Sequence, residues 1–167
     1  MLAPAYDPAP WSSFFSAEVG ASAALTGLLF VAVSINLPKI VALPLLTARA
    51  AKALSTLVGV LLVATLGMVP GQSPASLGLE LTVVGTLVWI VITLSYGASS
   101  RNNQYITRPQ KIFHALLAQS SAIPGVLCGV SLTLHRGGGL YWLVPGILLS
   151  FVAALFDTWV LLIEILR

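Results

Sequence analysis

The chain has 167 residues, of which 57% are hydrophobic and only 8% charged, with a mean hydropathy of +0.98. A soluble domain carries about 25% charged residues, so this composition excludes a water-facing globular surface and points to lipid. The net charge of +3 comes from dispersed Lys and Arg without a basic stripe interleaved with aromatics, which speaks against nucleic-acid binding, and the single Cys128 excludes an intrachain disulfide and a cysteine-based zinc site.

Residues 1–10, MLAPAYDPAP, lack the basic start of a secretory signal, and Asp7 and three prolines precede the first apolar run. They are expected to form an external tail. A spanning helix needs about 20 apolar residues, and five runs qualify: 11–37, 48–69, 76–96, 112–134 and 140–166. Pro38 and Pro44 punctuate the exit from the first. The segment between them and Thr47 is too short to span and is placed along the interface, with Thr47 as the N-cap of the second helix. Pro70-Gly71-Gln72-Ser73-Pro74 is a tight turn, 99–111 is the longest polar loop, and His135-Arg136-Gly137-Gly138-Gly139 is a short connection into the fifth helix. The expected fold is therefore an all-α, polytopic bundle of five transmembrane helices in a single unit over 11–167. No internal repeat divides the helices into similar halves, which argues against an inverted-repeat transporter within one chain.

Charge sets the orientation. Lys39, Arg49 and Lys52 lie between the first two helices, Arg101, Arg108 and Lys111 between the third and fourth, and Arg167 at the end, against Arg136 alone on the other side. Positive residues favour the cytoplasm, so the N-terminus is predicted outside and the C-terminus inside. Trp11, Tyr141 and Trp142 fall at the predicted outer interface, with Tyr96 and Tyr105 near the inner one.

Small residues recur along three helices: Gly20, Ala24 and Gly27 with Ser16, Ala23 and Ser34 in the first; Ser121, Gly125 and Gly129 in the fourth; Gly146, Ser150 and Ala154 in the fifth. Such faces let helix backbones approach closely in lipid. They are read mainly as packing within the bundle, with the first-helix stripe as the candidate contact with another subunit. Pro124 and Pro145, inside the fourth and fifth helices, are expected to kink both and to leave carbonyls in need of partners.

Four of the five carboxylates fall inside the apolar runs: Glu18, Glu80, Asp157 and Glu164. An Asp at the centre of a spanning helix costs about 2.5–3.5 kcal/mol on insertion scales. Glu18, Glu80 and Arg136 form a candidate outer site, with Glu80 close enough to the headgroups to be solvated. Asp157 continues the small stripe of the fifth helix and matches Gln119 in depth. Asp157, Gln119, Ser120, Ser34 and Thr93 are therefore the candidate intramembrane polar site, either a satisfied structural carboxylate or a proton or cation site. Glu164 beside Arg167 reads as an interface pair, and His114 as an interface residue. Lys39, Lys52 and Lys111 are all placed at the cytoplasmic boundary, leaving no buried lysine for a retinal Schiff base. His114 and His135 belong to opposite faces, against a bis-histidine haem. No hydrolase, zinc-protease or nucleotide-loop motif occurs, so neither catalytic residues, metal nor cofactor are expected.

The string from Gly20 to Asn36, GASAALTGLLFVAVSIN, resembles the first-helix sequence of small, uncharacterised polytopic membrane proteins of high-GC bacteria. That resemblance implies a membrane helix and no activity. The expected function is a non-catalytic subunit of the bacterial cytoplasmic membrane, packed in the lipid bilayer against other membrane subunits or itself. The alternative is a homo-oligomeric channel or small transporter using the embedded carboxylates.

Overall fold

The computed structural model describes residues 4–102 and 108–166, with side chains omitted at 96, 98–102, 108–111, 113–115, 117–118 and 164–166. The roles expected of Tyr96, Arg101, Tyr105, Arg108, Lys111, His114, Glu164 and Arg167 fall outside the described residues. What is described is helical, without strands. The helices are α1 Ser12–Ile35, α2 Leu37–Ala42, α3 Pro44–Gly67, α4 Pro74–Asn102, α5 Arg108–Leu134 and α6 Leu143–Leu166. One-turn 3-10 segments, Ala9–Trp11 and Gly139–Trp142, lead into α1 and α6.

Among the described residues, four segments are long and apolar enough to cross a membrane: Ala9–Ile35, Pro44–Gly67, Pro74–Ser95 and Gly139–Ile163. In α5 the apolar stretch found among the described residues, Gln119–Leu134, is shorter.

Prolines decide the helix starts. Pro44 occupies the first turn of α3, where its missing N–H costs nothing. The helix thus begins four residues earlier than the sequence reading placed it. Thr47 is consequently inside α3 and not its N-cap; its hydroxyl donates back to the carbonyl of Ile40 at 2.8 Å. The intervening segment forms the short helix α2, whose Ile40 packs on Leu46, Leu161 and Val33. At the next turn, Ser73 Oγ accepts the N–H of Ser76 at 3.1 Å, and α4 starts at Pro74. Pro145 lies in the first turn of α6, which begins at Leu143, with only the one-turn 3-10 segment Gly139–Trp142 before it. Pro124 alone sits in a helix interior. In the turn before it, the Ser121 carbonyl accepts the Ser150 hydroxyl at 3.2 Å, a partner supplied by α6.

Successive packing joins α3 to α4, α4 to α5, α5 to α6 and α6 back to α3. Glycine sets how closely these helices approach. A Cβ on Gly78 of α4 would stand 2.7 Å from Thr133 Oγ1 and 2.8 Å from the Gly129 carbonyl; one on Gly129 would stand 2.5 Å from the Thr82 N–H nitrogen. Gly78 with Thr133, Thr82 with Gly129 and Gly85 with Gly125 thus define an antiparallel α4–α5 seam with the backbones in contact. A Cβ on Gly146 of α6 would meet Pro124 Cβ at 2.9 Å, where α6 crosses α5. Gly59, Gly78, Gly85, Gly129 and Gly146 are thus consumed inside the fold.

Helix α1 lies against α3, with the fully buried Phe15 ring over Gly67 and Leu29 against Ala53 and Leu57. It is the least buried of the four candidate spans. Its inward face carries Phe15, Ser22 and Leu29. Ser16, Gly20, Ala23, Ala24 and Gly27 point the other way and are exposed, and nothing approaches within 4 Å of a Cβ built on Gly20 or Gly27.

The N-terminal segment does more than trail. The Ala5 carbonyl accepts the Leu140 N–H at 2.8 Å, the Tyr6 hydroxyl accepts the Gly138 N–H at 3.3 Å, and Trp11 Nε1 donates to the Pro4 carbonyl at 2.9 Å. Tyr6 stacks on His135 with centroids 5.9 Å apart, and Trp11 meets Tyr141 edge-on at 5.0 Å. Glycines 137–139 all adopt positive φ, and a Cβ on Gly139 would collide with the Ala5 carbonyl. This turn therefore needs glycine for both its conformation and its contact.

Candidate functional site: a buried lysine–aspartate pair

The early start of α3 carries a chemical consequence. With Pro44 in its first turn, Lys52 stands about 12 Å along the helix at ~1.5 Å per residue. It is 8% exposed, and its Nζ lies 2.8 Å from Oδ2 of Asp157, itself 6% exposed. The expectation of no buried lysine is thereby corrected: Lys52 is buried, between α3 and α6.

Helical spacing explains the encounter. Lys52, Thr56, Gly59 and Val63 recur every three or four residues along one face of α3, and Gly146, Ser150, Ala154 and Asp157 do so along one face of α6. Both faces turn inward. Between them and α4 and α5 is a cavity of about 40 Å³, to which each of the four helices contributes one glycine: Gly59, Gly85, Gly125 and Gly146. Thr56, Ser121 and Ser150 supply its hydroxyls. Thr56 donates to the Lys52 carbonyl at 2.9 Å and Ser150 to the Gly146 carbonyl at 2.8 Å, so both hydroxyl protons have acceptors within their own helices. A water needs about 10–15 Å³ of such space and polar partners, and both are met here.

The pair removes a net charge from the interior at the cost of desolvating two ions. Removing one member leaves the other uncompensated, which costs about 3–5 kcal/mol, whereas replacing both with apolar groups is often neutral. The salt bridge therefore acts first as a matching rule between α3 and α6.

The other predicted partners of Asp157 are elsewhere. Gln119 Oε1 accepts the Trp89 indole N–H at 2.5 Å, and its Nε2 donates to Thr93 Oγ1 at 3.4 Å, on an exposed flank of the α4–α5 seam. Ser34 is exposed and donates to its own helix at the Phe30 carbonyl, 2.8 Å away. Ser120 precedes the cavity residue Ser121 and is half-buried. The structure thus separates Gln119, Thr93 and Ser34 from the Lys52–Asp157 pair. Equal counts from the helix ends put residues neither at one level nor on one face: Ser121 lies against Ser150, which sets Gln119 short of Asp157.

The outer trio is also dispersed. Glu80 Oε2 accepts Gln72 Nε2 at 2.7 Å, across the α3–α4 turn. Glu18 is half-buried on α1, and its Oε2 is buried without a hydrogen-bond partner. Arg136 lies in the exposed turn before α6 and makes no ion pair with either acid among the described residues. Among those residues no three His, Cys, Asp or Glu gather where a metal could be held.

Lys52 is the site residue that sequence reasoning missed. The available signal was Pro44: read as the first turn of the second helix, it moves Lys52 one turn deeper, on the face it already shares with Thr56 and Gly59. The fold and site define a bundle of apolar, membrane-length helices with a charge pair between two of them. No family profile, curated protein or solved structure matches this chain.

Proposed function

We propose that the protein is a non-catalytic integral membrane subunit that crosses the bacterial cytoplasmic membrane five times, with its N-terminus outside and its C-terminus inside. It packs through α1 against another membrane helix, from a second copy or a different subunit. The observation that carries this reading is the outward α1 face: Ser16, Gly20, Ala23, Ala24 and Gly27 are exposed, while the small residues of α5 and α6 are used within the bundle. A helix held mainly by α3, with its small-residue stripe unoccupied, offers the close-approach surface on which lipid-embedded helices associate. With the buried Lys52 set aside, six basic residues on one predicted side against Arg136 on the other support the orientation, and the length of α5 supports a fifth span.

Cysteine cross-linking in native membranes tests the reading. With Cys128→Ser as background, Gly20→Cys or Gly27→Cys should give a defined adduct with a partner or a second copy. Cysteines at Leu79 or Val83, exposed on α4, should not. Equal cross-linking from both helices, or none from α1, would rule out α1 as the docking face.

A second reading, a homo-oligomeric channel or small transporter, draws on a different observation. Lys52 and Asp157 lie on the same helix faces as a hydroxyl-lined cavity, and ionisable groups inside a membrane often mark ion or proton pathways. Glu18 would be its outer carboxylate. That reading requires flux in liposomes containing the purified protein, altered by Asp157→Asn paired with Lys52→Met.

A further inference from the structure

A groove of about 250 Å³ runs between α1 and α6, which both pack on α3 and leave the space between them open. Leu28 and Ala32 of α1 and Leu155 and Leu162 of α6 form its walls, over Leu57 of α3 as floor. Thr158 carries the one polar side chain among the described lining residues, and its hydroxyl is spent on the Ala154 carbonyl at 2.7 Å. What the groove offers is hydrocarbon.

Its extent and level match one lipid leaflet. The two helices run the same way, since Leu29 shares a packing cluster with Ala154, and Val33 shares the next with Leu161. The lining positions, 25–32 of α1 and 154–162 of α6, fall in the second half of each helix. At ~1.5 Å per residue they cover about 10–12 Å, most of the ~15 Å that one leaflet contributes to the hydrocarbon core.

Toward the C-terminal ends of both helices, α2 closes the groove through Ile40, which packs with Leu161 and Val33. Lys39, beside Ile40, is exposed. Arg49, Ala53 and Leu57 recur every four residues on one face of α3, so the half-buried Arg49 lies in line with the floor, toward α2. Both cations have a contact within the chain, and an ammonium with three donors or a guanidinium with five keeps others for a further acceptor. In formal charge Glu164 and Arg167, beyond Leu162, cancel, as do Lys52 and Asp157, so Lys39 and Arg49 leave this end of the groove positive. A hydrocarbon slot one leaflet deep with a positive mouth is complementary to a lipid that carries a negative headgroup.

We propose that the groove holds one acyl chain of an anionic phospholipid whose phosphate rests against Lys39 and Arg49. The chain supplies the packing that α1 and α6 do not give each other, and the two cations distinguish this lipid from a zwitterionic one. The proposal rests on α1 and α6 as membrane spans. It is separate from the docking face of α1, since Ser16, Gly20, Ala23 and Gly27 do not line the groove.

Native mass spectrometry of the full chain tests it, with release from nanodiscs that contain equal phosphatidylglycerol and phosphatidylcholine with matched acyl chains. One phosphatidylglycerol should be retained per chain, in about tenfold preference to phosphatidylcholine. Lys39→Gln with Arg49→Gln should abolish the preference. Ala32→Phe with Thr158→Phe should abolish retention of either lipid by filling the groove. Gly20→Leu should change neither, and loss of the lipid in that variant would assign it to the docking face and overturn the proposal. Equal retention of the two lipids by the unsubstituted protein would also overturn it, as would a preference that survives loss of both cations or retention that survives filling. Lys39→Gln alone changes an exposed side chain and should already lower the preference, so the test stands if the groove-filling pair disturbs the packing of α1.

Discussion

Lys52 Nζ of α3 and Asp157 Oδ2 of α6 lie 2.8 Å apart, both nearly inaccessible, on two faces that also line the central cavity. The two residues are 105 positions apart in sequence, and their meeting ties the beginning of one helix to the end of another.

Such a pair is expected to be unforgiving of half-measures. Lys52→Met or Asp157→Leu alone should destabilise the protein by about 3–5 kcal/mol, and the double substitution should recover most of the loss. Unfolding in a denaturing-detergent titration reads the effect. Additive losses in the double variant would show that the two side chains act separately.

Salt distinguishes this pair from surface charges. At 0.15 M the Debye length is about 8 Å, and exposed pairs weaken further with salt, while buried pairs are screened much less. The penalty of Lys52→Met should therefore be nearly the same at low and high ionic strength in the same unfolding assay. A penalty that fades with salt would place the pair in contact with solvent.

The helices themselves are legible as apolar runs, because lipid demands length. The inward face of α6 is legible too, since Gly146, Ser150 and Ala154 point Asp157 toward protein. The partner of Asp157 is not, and the reason is geometric. Counting residues from a helix end fixes neither level nor rotation. Counting from the helix ends sets Gln119 level with Asp157, but the Ser121–Ser150 and Pro124–Gly146 contacts of antiparallel α5 and α6 put it nearer the level of Val152, and it meets Trp89 and Thr93 on the outer flank. Lys52 was misplaced because Thr47 is a better N-cap by composition than Leu43, whereas the chain uses Pro44 to begin the helix. In α1 the stripe of small residues was visible in sequence, but which way it faced was not.

Gly129 and Gly125 share a GxxxG pattern and should respond differently to the same change. Gly129→Ala drives a methyl group against the α4 backbone at Thr82 and should cost about 1–3 kcal/mol as overpacking. Gly125→Ala meets nothing within 4 Å and should be neutral or slightly stabilising. Thermal unfolding of the two variants gives the comparison. Equal losses would contradict the α4–α5 register.

The N-terminal clasp predicts a local effect. Gly139→Ala combines a positive φ with a collision at the Ala5 carbonyl, a strain of about 1–3 kcal/mol. It should expose the segment around Ala5 and Tyr6 to limited proteolysis without lowering the midpoint of global unfolding by a comparable amount. Protection equal to that of the unsubstituted protein would mean that the Ala5–Leu140 hydrogen bond does not hold the segment.

The central claim, that α1 docks on another membrane helix, is tested most directly by the mass of the protein solubilised gently from native membranes, with and without Gly20→Leu and Gly27→Leu. The α1 account predicts a complex heavier than one chain, reduced to a monomer by the two substitutions while the bundle stays folded. A lone monomer before substitution, or a complex indifferent to both leucines, would contradict it.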